Sequence, residues 1–243
     1  MLSRADYNAA DLAEHLRLDP TLAARVMSVA NSAFFSRQPC GAIDDAVNRL
    51  GTVQLTRIFA QVLASAALIH PLRAYGLPAD AIWRRSVLAA VGAEMAAGRT
   101  GEDRSAAYMV GLLHLVGLLV IDTHWLKQTG GPKLTMADFD REWSADEKKL
   151  CGFDHAAIGA EVLRQLSFPA SIVGAVGQQY RLLAGPLDGA LYVGRMVRSI
   201  TCDKITVDPK PEVLKEFKFA TTSQFETFVA DVRTEAQNLM QAV

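Results

Sequence analysis

Cysteine is scarce. The 243-residue chain holds three, Cys40, Cys151 and Cys202, an odd set with no Cys-x-x-Cys spacing. That excludes a disulfide framework and a structural zinc site built on thiolates, and it predicts reduced thiols in a cytoplasmic setting. A dominant charge is lacking too. The formal net charge is −1 and no dense Lys/Arg block stands out, so the basic face that neutralises phosphate backbones is missing and no DNA partner is expected. The opening residues MLSRADYNAADL contain no apolar core of a signal peptide. The longest greasy run, Ala106 to Ile121, falls short of the roughly 20 residues that span a bilayer, so no membrane is expected. Internal repeats, low-complexity stretches and strand-like alternation beyond a few residues are also missing.

What remains is helix. Half of the residues are hydrophobic, enough for one good core. Asp19-Pro20 places a capping side chain and a proline ahead of TLAARVMSVANSAFF, in which Leu22, Val26 and Val29 keep helical spacing. IDDAVNRL ends at Gly51, a favoured helix stop, and TVQLTRIFAQVLASAALI follows. Pro78 and Asp80 introduce DAIWRRSVLAAVGAEMAA, and Asp103 introduces RSAAYMVGLLHLVGLLVIDTHW, read as one long helix. GGPKLT is a break before a polar amphipathic helix, ADFDREWSADEKKL. Asp154 is placed to cap HAAIGAEVLRQL, Pro169 starts ASIVGAVGQQYRLL, and Pro186 precedes LDGALYVGRMVRSI. The stretch from about 203 reads as a proline-containing linker before a final helix, TTSQFETFVADVRTEAQNLM.

Helices that are apolar all round belong in the core of a bundle. Gly111 and Gly117 each cost about 1 kcal/mol of helix propensity relative to Ala, and the expected return is close approach of neighbouring helices. His114 lies inside the apolar run VGLLHLVGLLV. Buried there, its imidazole needs a hydrogen-bond partner, expected to be a backbone carbonyl, a side chain near His155 or a water. Cys151 and His155 alone do not make a zinc site.

Three stretches together, DPTLAARVMSVANSAFF (19–35), VGLLHLVG (110–117) and GFDHAAIGAEVL (152–163), resemble the HDOD domain, an all-α relative of the HD phosphohydrolases. AVNRLG (46–51) and WRRSVLAA (83–90) fall in matching order, and the resemblance covers roughly residues 8–200. It implies an all-α, multi-helix HD-like bundle over 1–202 with a linker and C-terminal helix over 203–243. It also implies that a leading helix is missing. The groove left open would be lined by Leu12, Leu16 and Leu22. Phe225, Phe228, Val229 and Val232 of the C-terminal helix are expected to pack on the domain body, in cis or from a second copy of the chain.

HD enzymes hold one or two divalent ions with a His, an adjacent His-Asp pair, further His residues and a late Asp, because imidazole and carboxylate suit such ions and the metal acidifies a bound water. By the resemblance, the first His position falls at Arg85 and the pair at His114-Leu115. His155 is kept, the His-His region reads Gln178-Gln179-Tyr180, and the late Asp falls at Arg195. Leucine cannot ligate and a guanidinium repels a divalent ion. The resemblance therefore implies a degenerate site with no catalytic residue, no metal and no cofactor. The expected function is a non-catalytic regulatory module of bacterial signal transduction that binds other signalling proteins, such as cyclic-dinucleotide or two-component system members. Two alternatives are a phosphohydrolase retaining activity at the degenerate site, and a sensor in which Arg85, Arg195, His114 and His155 converge on a small anion.

Overall fold

The computed structural model describes residues 20–31, 38, 40–129, 141–181, 185–203 and 209–241. They form α1 (Pro20–Ala30), α2 (Ile43–Leu68), α3 (Ala81–Thr100), α4 (Arg104–Leu113), α5 (Val116–Thr129), α6 (Arg141–Cys151), α7 (His155–Gln165), α8 (Ala170–Gly177), α9 (Pro186–Arg198), α10 (Pro211–Glu216) and α11 (Thr222–Gln241). A π-helical turn, Ser199–Asp203, continues α9. The all-α class is as predicted. Among the described residues an isolated bridge between Leu72 and Leu77 is all that resembles strand pairing.

Helix starts follow capping chemistry. The Asp103 carboxylate accepts the Ala106 N–H at 3.0 Å and Asp154 accepts the Ala157 N–H at 2.9 Å, each satisfying a donor that the first turn leaves unpaired. Asp80 departs from expectation: it makes no cap bond and pairs instead with Arg84 at 3.6 Å. Gly51, with φ 68° and ψ 171°, interrupts α2, as its reading as a helix stop requires. The stretch beyond 203 is not linker alone, since Pro211 sits in the first turn of α10.

The contacts divide the chain into two compact units, 1–63 with 238–243, and 64–237. In the first, Val26 and Ala30 of α1 pack with Cys40, Ala46, Val47 and Leu50. The Asn31 amide clamps this turn. It accepts the Cys40 N–H at 2.7 Å and donates to the Cys40 carbonyl at 3.1 Å. Arg49 closes it by donating to the Ala30 and Gln38 carbonyls. Leu12, Leu16 and the side chain of Leu22, the expected groove lining, lie outside the described residues.

In the second unit α3 is the central helix. It packs most extensively on α4 and α9, while α7 lies against α5 and α8. Small residues set these distances. A Cβ on Gly194 of α9 would stand 2.2 Å from the Ala89 carbonyl oxygen of α3, and one on Gly111 would stand 2.5 Å from the Ala90 Cα. The close approach predicted for Gly111 is therefore present.

The start of α11 packs in cis within the second unit. Arg99, near the end of α3, donates through Nε to the Phe217 carbonyl at 2.6 Å and through Nη2 to the Lys218 carbonyl at 2.7 Å. Its guanidinium lies 4.1 Å from the Phe219 ring centroid. Phe219 meets Phe225 and Phe228 edge-on at 5.3 and 5.2 Å. Arg99→Ala removes two charge-assisted bonds and a cation–π contact, and is expected to cost about 2 kcal/mol. Urea unfolding checks this; a loss below about 0.5 kcal/mol, the scale of an ordinary surface substitution, would show those contacts to be incidental.

Candidate functional site

The predicted long helix from Arg104 is two helices, broken at His114-Leu115. In an uninterrupted helix the Leu118 N–H would bond the carbonyl four residues back, that of His114. Here it bonds Leu115 O at 3.0 Å, and the freed His114 carbonyl accepts from Gln179 Nε2 at 3.0 Å. Sequence pattern hides the break because both halves are apolar. Taken as one segment, Arg104–Trp125 is 22 residues, long and apolar enough to cross a membrane, longer than the run that sequence alone picked out. Of its apolar window 61% is buried by the rest of the protein, which is how a pair of core helices looks.

His114 is fully buried. Nδ1 contacts the Gly111 carbonyl oxygen at 2.6 Å, the backbone partner expected for it. A carbonyl only accepts, so the proton is on Nδ1 and Nε2 is an acceptor. Arg198 supplies the donor there, Nη1 at 3.2 Å, and its Nη2 bonds the Ser199 hydroxyl at 3.2 Å. Both ring nitrogens of His114 are thus occupied by protein. Leu115 is buried beside it.

His155 opens α7 and is 1% exposed. Its Nδ1 lies 2.8 Å from Glu147 Oε2 and its backbone N–H donates to the same oxygen at 2.7 Å. Tyr75 donates to Glu147 Oε1 at 2.9 Å. Burial, then the adjacent Glu147 carboxylate, push the Tyr75 phenol far above its ordinary range, which keeps it a donor. On the other side of the ring, Nε2 shares a 2.7 Å hydrogen bond with the Tyr180 hydroxyl. Close packing of α5 on α7 places the imidazole: a Cβ on Gly117 would stand 2.0 Å from the His155 carbonyl oxygen.

Arg195 joins the two histidine regions. Its Nη1 donates to the Gln179 carbonyl and its guanidinium lies 4.5 Å from the Tyr180 ring centroid. Glu147, His155, Tyr180, Arg195, Gln179, His114 and Arg198 therefore form one continuous chain of contacts. Of Arg85 the structure shows a bond to Ala81 O within its own helix, at 3.4 Å. Sequence reasoning brought His114, His155, Gln179, Tyr180 and Arg195 together, and it missed Tyr75, Glu147 and Arg198. Glu147 had a signal, since Ser144, Glu147 and Cys151 recur at helical spacing on one face of α6. Arg198 lies three residues after Arg195, about one turn on along the same helix.

The residues present do not fit a divalent metal centre. Leu115 offers no ligand, a guanidinium meets Nε2 of His114, and no three ligating side chains cluster among the described residues. The nearby thiol of Cys151 is pushed upward by burial and by Glu147, which disfavours the thiolate that would bind metal or attack.

Tyr75 is held in place by Asp122 of α5, whose Oδ1 accepts the neighbouring Ala74 N–H at 2.7 Å. Burial raises the Asp122 carboxyl above its ordinary value near 3.8, against the Ala74 bond and Arg73, which lower it. A raised carboxyl favours the folded state while protonated, and that advantage is lost as pH rises through the folded-state pKa. Asp122→Asn keeps the acceptor and removes the charge. The variant is expected to melt a few degrees above the parent at pH 7, with the gap closing below about pH 4. Parallel melting curves at several pH values check this, and a gap independent of pH would contradict it.

The sequence profile described as HDOD domain matches residues 1–182. No curated protein matches the chain. Among solved structures, an HDOD domain protein of unknown function from Geobacter sulfurreducens is 20% identical, with 98% of this chain and 88% of that one covered and a TM-score of 0.70. A Shewanella amazonensis SB2B protein, provisionally described as a phosphohydrolase, is 24% identical over 95% of this chain and 84% of its own, with a TM-score of 0.69. A Marinobacter aquaeolei VT8 protein provisionally assigned to signal transduction is 21% identical, with a TM-score of 0.70. This chain is covered over 98% of its length and spans 55% of that one. At these identities the likeness is one of fold.

Proposed function

We propose that this chain, which belongs to the HDOD domain family and whose His114 and His155 each meet protein groups at both ring nitrogens, is a non-catalytic regulatory module of bacterial signal transduction that acts by binding other signalling proteins. The observation that carries the reading is the His114–Arg198 contact. A guanidinium cannot lose its proton at physiological pH, so it holds a fixed positive charge against the one nitrogen through which His114 would ligate a cation. The solved relative provisionally assigned to signal transduction has the same fold and agrees with such a role. The phosphohydrolase alternative needs hard ligands that acidify a water, and no three ligating side chains cluster among the described residues. The anion-sensor alternative finds Arg195 directed to the Gln179 carbonyl and the Tyr180 ring and Arg198 directed to His114.

The test has two arms. The full chain, supplied in turn with Mn, Mg and Fe(II), is expected to hydrolyse phosphomonoesters, phosphodiesters and nucleotides no faster than buffer. Turnover that disappears in His114→Ala would overturn the reading. In cells of the native host, crosslinking to the tagged chain is expected to recover a kinase, response regulator or cyclic-dinucleotide protein reproducibly. Recovery of none across growth conditions would count against the partner class.

A further inference from the structure

His114 lies at the C-terminal end of α4; a helix of 10 residues puts the opposite end roughly 15 Å away. There the protein has a cavity of about 440 Å³, bordered by Glu102 and Asp103 before α4, Ser171 and Gly174 of α8, Gln178, and Asp188 in the first turn of α9. Asp188 is 7% exposed, and no hydrogen bond or ion pair to its carboxylate is found among the described residues. Burial alone shifts it, upward. Its Oδ2 lies over Gly185, also on the cavity wall, 3.2 Å from where a Cβ on that glycine would stand. Glu102 Oε2 is buried without a hydrogen-bond partner, and that carboxyl too is raised, by burial and then by Glu216, against a side-chain hydrogen bond with Thr100 that lowers it. An acid in the first turn of a helix gains from the helix dipole. That gain does not account for a carboxylate withdrawn from water that bonds no N–H, since such an acceptor is costly to leave unmet.

We propose that this cavity is a binding site for an organic cation, a primary ammonium or guanidinium carried on an alkyl stem. The head group supplies the donors that Asp188 and Glu102 Oε2 lack. Asp103, whose Oδ1 is already used by the Ala106 N–H, adds negative charge at the rim, and Ser171 and Gln178 offer further polar contacts. Ala106, Ala175 and Leu187 on the same wall face the methylenes, as amphipathic stems prefer. A small anion is repelled by three carboxylates. A divalent metal is a poorer fit, because it needs several oxygens converging at short range and no three ligating side chains do so among the described residues. The same chemistry is carried by a free diamine and by a lysine or arginine side chain of another protein. The cavity lies off the chain of contacts around His114 and His155, so the outcome at that site does not bear on this one.

The test is an NMR titration of the full chain with 1,4-diaminobutane, with N-acetyl-arginine amide, and with uncharged N-acetyl-norleucine amide. Both cations are expected to shift the amides of residues 174, 185 and 188 saturably, in the millimolar range of a small single-site ligand, and the neutral probe is not. Asp188→Asn, which relieves a buried charge and should fold well, is expected to weaken binding about tenfold. A Cβ at Gly174 meets nothing within 4 Å, so Gly174→Leu should fill the cavity and abolish binding without unfolding the protein. Tighter binding of the diamine marks a free amine as the natural occupant, and tighter binding of the capped arginine marks a partner's side chain. The proposal is overturned if no saturable shift is seen, if the neutral probe matches the cations, or if both variants bind like the parent.

Discussion

Gly117→Ala is expected to destabilise the protein by about 3 kcal/mol or more, at the upper end of overpacking effects. The added methyl would stand 2.0 Å from the His155 carbonyl oxygen, 2.7 Å from the Gly159 nitrogen and 2.9 Å from the His155 carbonyl carbon. All three are backbone atoms in the first turns of α7, so no side chain can swing away and α5 must lift from α7. That displacement pulls His155 from Glu147 and Tyr180, so the variant should also perturb the His155 imidazole resonances. Gly174→Ala is the matched control. It is helical and meets open space, and should be neutral or stabilising by up to about 1 kcal/mol. Denaturant midpoints of the two variants check the pair; equal midpoints would mean that the α5–α7 contact is looser than its geometry.

Glu147→Ala is expected to cost about 3–5 kcal/mol, the scale of breaking a buried hydrogen-bonded pair. Glu147 is fully buried and accepts from the Tyr75 hydroxyl, the His155 N–H and His155 Nδ1. Truncation strands these donors away from water, and each unmet donor costs about 1–3 kcal/mol. Glu147→Gln should fall between, because one acceptor survives while an NH2 faces a donor. Calorimetry on the three proteins orders them, and a Glu147→Ala loss under about 1 kcal/mol would mean that water or a rearranged side chain replaces the carboxylate.

Much of this architecture was legible in the sequence because it is written locally. Asp103 and Asp154 announce their helices by an acceptor placed three residues before a free N–H, and Gly111 and Gly117 announce close helix approach by an absent side chain. The break at His114-Leu115 was not legible, since periodicity is silent in a run that is apolar on every face. It depends on Gln179, sixty-five residues away. The proposed degenerate site was readable only through the resemblance, which put Leu115 at one acid position and Arg195 at another. The contacts these positions make were not. Glu147 reads as one acid among many in a polar helix until α6 turns it against His155. The resemblance placed the late Asp position at Arg195, while the arginine that reaches His114 is Arg198, one turn on.

On the proposed function, protein side chains occupy the place a metal ion holds in HD hydrolases. Metal content and affinity decide between the two arrangements. The full chain, purified without chelator and without added metal, then titrated calorimetrically with Mn(II), Fe(II) and Zn(II), is expected to carry well under one ion per chain. It should show no binding tighter than the millimolar level of adventitious surface carboxylates. Arg198→Ala, which uncovers His114 Nε2, is the one variant in which weak new binding is expected. About one tightly held ion per parent chain, lost in both His114→Ala and His155→Ala, would contradict the claim.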